Sequence, residues 1–253
     1  MTKNETNIIE IFSSIQGEGP YIGYRQLFIR FALCNLNCAY CDTAFSPEEY
    51  CKIEVCPGSG SFKQVKNPVT VEQLIHEIDR LNYFHHHSLS LTGGEPLLNS
   101  EFINNFLSEI QEIKANTNLK IYLETNGTLS EELGKVINSI DIISMDFKLE
   151  SSYGKTAPWD KHREFINIAQ KNNKEIFAKI VVTSKIKPEE VSQIISLISG
   201  LDKKIPVILQ PVFSKDKALI PEPVKVLEIQ EALLKKLTDV RVIPQVHKYL
   251  SLL

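Results

Sequence analysis

Three cysteines stand close together in the stretch "CNLNCAYCDT" (34–43): Cys34, Cys38 and Cys41, separated by three and then two residues. A structural zinc site takes four ligands, and a disulfide takes two cysteines. A cubane iron–sulfur cluster has four iron corners, so three thiolates hold three of them and leave one iron open to another ligand. Zinc completed by a distant histidine, or three unrelated thiols, are the other readings. No histidine lies near the loop in sequence.

Such a loop needs elements to position it. Apolar runs of strand length alternate with segments of helical period. Strands are expected at 26–33, 88–91, 120–124, 141–147, 175–182, 206–212 and 240–246, and helices at about 70–82, 100–115, 130–139, 160–172, 188–199 and 222–237. Thr70 and Ser130, each leading into an acidic first turn, read as N-caps. The repetition predicts an α/β fold with a parallel sheet and crossover helices, in a single domain over 1–253. The segment 44–69, rich in Gly, Ser and Pro and carrying Cys51 and Cys56, breaks the pattern and reads as an irregular excursion or a small hairpin.

Side chains alternate faces along a strand. Leu27, Ile29, Phe31 and Leu33 share one face and Arg30 takes the other; Leu89 and Leu91 oppose Ser90 and Thr92; Ile121 and Leu123 oppose Tyr122 and Glu124. Ile143, Met145 and Phe147 oppose Ser144, Asp146 and Lys148; Ala178 and Ile180 oppose Lys179; Val207 and Leu209 oppose Gln210. An open antiparallel sheet would turn that polar face to water. In a parallel sheet both faces are normally covered, and Arg30, Glu124 and Lys179 are poor interior residues without partners. A curved sheet or partial barrel resolves the conflict, with a ligand held in its concave face.

Composition sets the bounds. The chain has 253 residues, 43% hydrophobic, enough for a large core. The formal net charge is -3 with no Lys/Arg block, which argues against nucleic-acid binding by charge. No apolar run has the length of a membrane span and "MTKNETNIIEIF" is too polar for a secretory signal, so a soluble cytoplasmic protein is expected. Five cysteines, three of them clustered, do not make a disulfide framework.

"CNLNCAYC" resembles the CxxxCxxC loop of radical S-adenosylmethionine (radical SAM) enzymes, and "TGGEP" (92–96) resembles the turn that meets the methionyl amino group of the cofactor in those enzymes. More narrowly, "SIQGEGPYIGYRQLFIRFALCNLNCAYCDT", "LTGGEPLL", "ETNGT", "LQPV" and "QVHKYL" resemble the 7-carboxy-7-deazaguanine synthase family. The resemblance implies a partial (β/α) barrel of the radical SAM type, a mostly parallel curved sheet with outer helices. It implies a [4Fe–4S] cluster, S-adenosyl-L-methionine and Mg2+ as cofactors. The reaction would be a carbon–nitrogen lyase step of queuosine biosynthesis, from 6-carboxy-5,6,7,8-tetrahydropterin to 7-carboxy-7-deazaguanine and ammonia, driven by a radical from the cofactor. A homodimer and a flavodoxin- or ferredoxin-like electron donor are implied as well.

By the same resemblance Cys34, Cys38 and Cys41 ligate the cluster. Gly93, Gly94 and Glu95 line the methionine moiety, with Ser144, Lys148 and Gln210 as further cofactor contacts. Arg30 pairs with the substrate carboxylate, for which its planar fork is suited. Gln16, Glu18, Thr92 and Glu124 hydrogen-bond the pterin edge. His247, with Lys248, comes from a tail folded over the site. Thr43 is the magnesium ligand, the remaining positions going to substrate oxygens and water; no protein group beyond the cofactor radical is expected to be catalytic.

Blander readings stand beside these. QGEG is a turn, Glu124 a salt-bridge partner, Thr43 a cap after the cluster loop with Asp42 a solvated or capping acid, and "HHH" (85–87) a solvated helix end rather than a metal site. Cys51 and Cys56 are plain thiols or a hairpin contact. Two features depart from the family pattern: "SMDFK" where many relatives have Ser-Pro-Lys, and the long insert after the cluster loop. Another radical SAM enzyme, such as a glycyl-radical-enzyme activase, is the first functional alternative; Gln16, Glu18 and Arg30 favour a small anionic substrate over its protein substrate. A non-catalytic zinc or iron–sulfur electron-transfer module is the second.

Overall fold

The computed structural model describes residues 4–38, 41, 47–214 and 216–250. Strands are β1 (Glu5–Thr6), β2 (Ile8–Ile15), β3 (Arg25–Phe31), β4 (Tyr50–Glu54), β5 (Phe62–Lys66), β6 (Val69–Thr70), β7 (Ser88–Gly93), β8 (Lys120–Thr125), β9 (Ile142–Phe147), β10 (Glu175–Val182), β11 (Val207–Pro211) and β12 (Val240–Val242). Helices are α1 (Val71–Arg80), α2 (Ser100–Glu109), α3 (Gln111–Ala115), α4 (Ser130–Val136), α5 (Glu150–Tyr153), α6 (Trp159–Lys171), α7 (Pro188–Leu201), α8 (Pro223–Leu234) and α9 (Val246–Leu250).

One sheet runs β12-β11-β10-β9-β8-β7-β3-β2-β4-β5. From β3 to β12 every pair is parallel, and each strand lies beside the next long parallel strand in the chain. Adding strands in one direction, mostly with a helix between, is the winding of a barrel; a doubly wound sheet reverses at a switch point. This barrel is partial, since β12 and β5 remain as edges. β2 pairs antiparallel with β3 and parallel with β4.

The outward faces of the parallel strands, among them Leu27, Ile29, Leu89, Leu91, Ile121, Leu123 and Ile143, are buried in the main core. Helices cover them with i, i+3, i+4 stripes: Phe102, Ile103 and Phe106 on α2; Phe165, Ile166 and Ala169 on α6; Val191, Ile194 and Ile198 on α7. Each fully buried Leu, Ile or Phe contributes about 1.5–3 kcal/mol of transfer free energy. The concave face is layered. Tyr122, Ile142, Phe177 and Ile208 form an apolar floor with Tyr21 and Ile243 against it. Two residues further along the same strands, and so on the same face, come Glu124, Ser144, Lys179 and Gln210.

Several local expectations are corrected. β2 is a full strand that the alternation rule passes over, because it is apolar on both faces: Ile11 enters the main core and Phe12 stacks on Phe28 at 5.1 Å. The 44–69 segment yields the hairpin β4–β5, which extends the main sheet beside β2. Its Cys51 is fully buried and its Cys56 exposed, both free thiols. Thr70 does cap α1, in a reciprocal capping box with Gln73. Ser130 does not cap α4: it is already the first helical residue and is buried. The expected 100–115 helix breaks at Ile110. The histidine run is no solvated helix end. Only His85 is exposed, His86 is buried against Ser13 of β2 at 2.8 Å, and half-buried His87 rests on Tyr24 at 4.3 Å between ring centroids.

Candidate active site

The carboxyl ends of the parallel strands open on one cleft. Cys34, Cys38, Cys41, Gly93 and Gly94 line it from β3 and β7. Arg30, Thr92, Glu124 and Glu18 line a second part, and Lys148, Lys179, Asp146 and Gln210 a third. Of the polar strand faces read from the sequence, Arg30, Thr92, Glu124, Asp146, Lys148, Lys179 and Gln210 therefore meet in one place, whereas Ser90, Tyr122 and Ser144 do not line it.

The cluster loop leaves β3 through a strained residue. Leu33 has φ 69°, a left-handed conformation costly for a branched side chain. The GGEP turn locks it there: Gly94 N donates to Phe31 O at 3.1 Å and Glu95 N to Leu33 O at 2.8 Å. A Cβ on Gly94 would stand 1.9 Å from Leu33 O, and one on Gly93, itself at φ +119°, 2.3 Å from Phe31 O. The two glycines thus allow the chain's own backbones to touch, besides lining the cleft.

Glu95 is fully buried and does not line the cleft. Its Oε1 accepts from Leu97 N at 3.1 Å and Thr125 Oγ1 at 2.8 Å, and its Oε2 from Asn126 N at 2.8 Å. Burial pushes its carboxyl up to about 7, against these donors. Asn126 is the residue that sequence reasoning missed. Its side chain bridges Thr128 and Asn35, so the end of β8 is tied to the cluster loop. The only signal was the "ETNGT" string itself, in which asparagine reads as a turn residue.

Among the described residues no three His, Cys, Asp or Glu side chains are arranged to hold a single metal ion. The cysteines instead face a shared cleft. Burial raises the thiols of Cys34 and Cys38 above their ordinary range, so ionised sulfur there calls for a metal-borne positive charge. Soft thiolates with a neighbouring glycine turn fit an iron–sulfur cluster. Buried Gln210, whose Oε1 has no partner among the described residues, and exposed Cys41, whose N donates to Cys38 O at 3.2 Å, border the same space.

Four expected substrate residues form one chain. Gln16 Nε2 donates to Glu124 Oε1 at 3.0 Å, and Thr92 Oγ1 to Glu124 Oε2 at 2.7 Å. Gln16 Oε1 accepts from Glu18 N at 3.0 Å. Arg30 lies beside them with its Nε on Glu10 Oε1 at 2.7 Å and its guanidinium over the Phe12 ring. Lys179 is hydrogen-bonded to Glu18 and stands 3.2 Å from Asp146 Oδ1, while Lys148 binds Asp146 Oδ2 at 3.0 Å. Burial alone would lower the Lys179 ammonium and raise the Glu18 and Asp146 carboxyls. The opposite charges override it, so Lys179 is held above and both acids below their ordinary values.

The QGEG turn is more than a turn. Val246 N donates to Gly17 O at 2.9 Å and Gln245 Nε2 to Glu18 Oε1 at 2.6 Å. A Cβ on Gly17 would stand 2.6 Å from His247 N. The C-terminal segment is therefore seated on the turn, and Gln245 rather than His247 lines the cleft. Ser144 is buried in a hydrogen bond with the Tyr122 phenol and does not line it either. Thr43, with Asp42, lies outside the described residues.

The model of the Radical SAM superfamily matches residues 28–198. The 7-carboxy-7-deazaguanine synthase of Geobacter sulfurreducens is 44% identical over 255 residues, covering 99% of both chains. That of Methanocaldococcus jannaschii is 37% identical, covering 97% of this chain and 100% of the relative. Among solved structures, QueE from Escherichia coli superposes with a TM-score of 0.59 at 20% identity, over 96% of this chain and 95% of that one. Native anSMEcpe with bound AdoMet gives 0.56 at 17% identity, over 83% of this chain and 61% of that one. At such identities the two structures bear on the fold alone.

Proposed function

The chain belongs to the radical SAM superfamily and, within it, to the 7-carboxy-7-deazaguanine synthases, and from that premise we propose that its cleft binds 6-carboxy-5,6,7,8-tetrahydropterin and converts it to 7-carboxy-7-deazaguanine and ammonia. Cys34, Cys38 and Cys41 would hold a [4Fe–4S] cluster, which together with S-adenosylmethionine would supply the radical chemistry. Everything else is positioning. Gly93, Gly94, Lys148 and Gln210 border the cofactor's place, and Glu95 and Ser144 brace it from beneath.

The observation that carries this reading is the Gln16–Glu124–Thr92 chain with Arg30 beside it. Each Glu124 oxygen already accepts one bond, which fixes the carboxylate; each keeps a further lone pair for the amino and ring N–H donors of a pterin edge. Arg30, fixed at Nε by Glu10, meets the carboxylate at the other end of the substrate. Glu18, held by Lys179, and the tail carrying Gln245 and His247 close the cleft from the side. A cleft lined by paired charges suits a small anionic molecule better than the protein substrate of an activase.

Magnesium joins this reading through Thr43 and substrate oxygens; chelated enzyme should recover turnover on adding the ion. We take the protein to work as a cytoplasmic homodimer, reduced by a flavodoxin- or ferredoxin-like donor. No described helix is long and apolar enough to cross a membrane. Arg30→Ala is the test of substrate polarity. Arg30 keeps its Glu10 partner and some exposure, so the loss should be smaller than for a fully desolvated pair: ~10–100-fold in kcat/KM, about 1.4 kcal/mol for each tenfold. S-adenosylmethionine affinity should hold. Equal losses for cofactor and pterin would mean that Arg30 only supports the fold.

A further inference from the structure

Asn126 reaches the cluster loop from the end of β8. Its Oδ1 accepts from the Thr128 backbone N–H at 3.1 Å and from the Thr128 hydroxyl at 2.5 Å. A backbone N–H can only donate, so the amide orientation is fixed and its NH2 group faces the other way. One of its hydrogens serves Asn35 Oδ1 at 2.8 Å; Cys34 Sγ lies 3.9 Å from the same nitrogen, within reach for the larger sulfur atom. The backbone of Asn126 is pinned on both sides, its N–H by Glu95 Oε2 and its carbonyl by His162 Nε2 at 3.2 Å. The residue is buried, and nothing in the substrate reading uses it.

We propose that Asn126 is a positioning residue that donates an N–H···S hydrogen bond to the Cys34 thiolate and thereby raises the reduction potential of the cluster. The inference rests on the three cysteines holding that cluster. Reduction brings one electron from the external donor onto the cluster and breaks no bond. The added charge is shared with the ligand sulfurs, so a fixed donor stabilises the reduced form more than the oxidised one. The pinned backbone and the Thr128 contacts keep the donor aimed, which spares the reorganisation a mobile donor would need. Asn35 accepts from the Asn126 amide and donates to Thr128 Oγ1 at 2.9 Å, contacts separate from the sulfur bond.

The test is a redox titration of the reconstituted cluster, followed by its electron paramagnetic resonance signal and run without S-adenosylmethionine. Each protein is first shown to carry a full complement of iron, so that loss of the cluster and loss of this inference are separate results. Asn126→Ala and Asn126→Ser both remove the amide donor; serine keeps a turn-forming oxygen for Thr128 and guards against misfolding. Both should reduce about tenfold less favourably, a midpoint ~59 mV more negative for one electron. Asn35→Ala, which loosens the loop but leaves the sulfur contact, should keep the parent potential. Asn126 variants that titrate with the parent would overturn the proposal. So would an Asn35→Ala shift of equal size, or a shift that appears only with S-adenosylmethionine bound.

Discussion

Thr92 Oγ1 donates to Glu124 Oε2 at 2.7 Å, joining the strand that ends in the GGEP turn to the strand that ends in ETNG. The same carboxylate takes Gln16 on its other oxygen, so three segments distant in sequence fix one acceptor group in the cleft.

Glu124→Gln keeps the shape and replaces one acceptor oxygen by a donor. The substrate's N–H groups would then meet an N–H. A hydrogen bond to a charged group is worth ~1.5–3 kcal/mol, so KM for the pterin should rise ~10–100-fold with S-adenosylmethionine affinity unchanged. Steady-state kinetics with each ligand varied in turn decides it; an unchanged pterin KM would remove Glu124 from the substrate site.

Lys179 is the buried cation that holds Glu18 and Asp146 together. Lys179→Met leaves both carboxylates without it. Removing one partner of a buried pair costs ~3–5 kcal/mol, and urea unfolding should show a loss of that order. The double change Lys179→Met with Glu18→Gln should recover part of it. A loss below ~1 kcal/mol, the range of exposed pairs, would mean that water already screens the network.

Stability should depend on pH through three buried groups of opposite sign. Burial pushes His86 and His162 down to about 4, and Glu95 up to about 7. Between pH ~5 and ~6.5 the unfolded chain gains two histidine protons that the folded chain refuses, which favours folding as pH rises. Over the same window folded Glu95 keeps a proton that the unfolded chain has lost, which disfavours folding as pH rises. The three leave a net of about one proton, or ~1.4 kcal/mol per pH unit gained on going up. Glu95→Gln should steepen that slope by about one further proton. An unchanged slope in the variant would show that Glu95 is ionised throughout.

The barrel and its polar lining were legible because both rest on a local period. Strands alternate every second residue, so Glu124, Lys179 and Gln210 announce an inner face without any knowledge of neighbours. The opposite holds for the residues that brace the site. Gly94 is required by Leu33 O, sixty-one positions earlier in the chain. Asn126 looks like any turn asparagine until Asn35 and Cys34 are beside it. His86 is buried by Ser13, on a strand whose two apolar faces hide its period. Glu10, the partner of Arg30, lies on that same strand and was hidden with it.

The most direct measurement is anaerobic turnover of the reconstituted protein with 6-carboxy-5,6,7,8-tetrahydropterin, S-adenosylmethionine, magnesium and dithionite, with product identified by mass. The expected result is 7-carboxy-7-deazaguanine from the parent and none from Cys38→Ala, whose fold is retained because that residue sits on a loop. A parent that cleaves S-adenosylmethionine yet leaves the pterin untouched, or a Cys38→Ala variant that turns over at the parent rate, would contradict it.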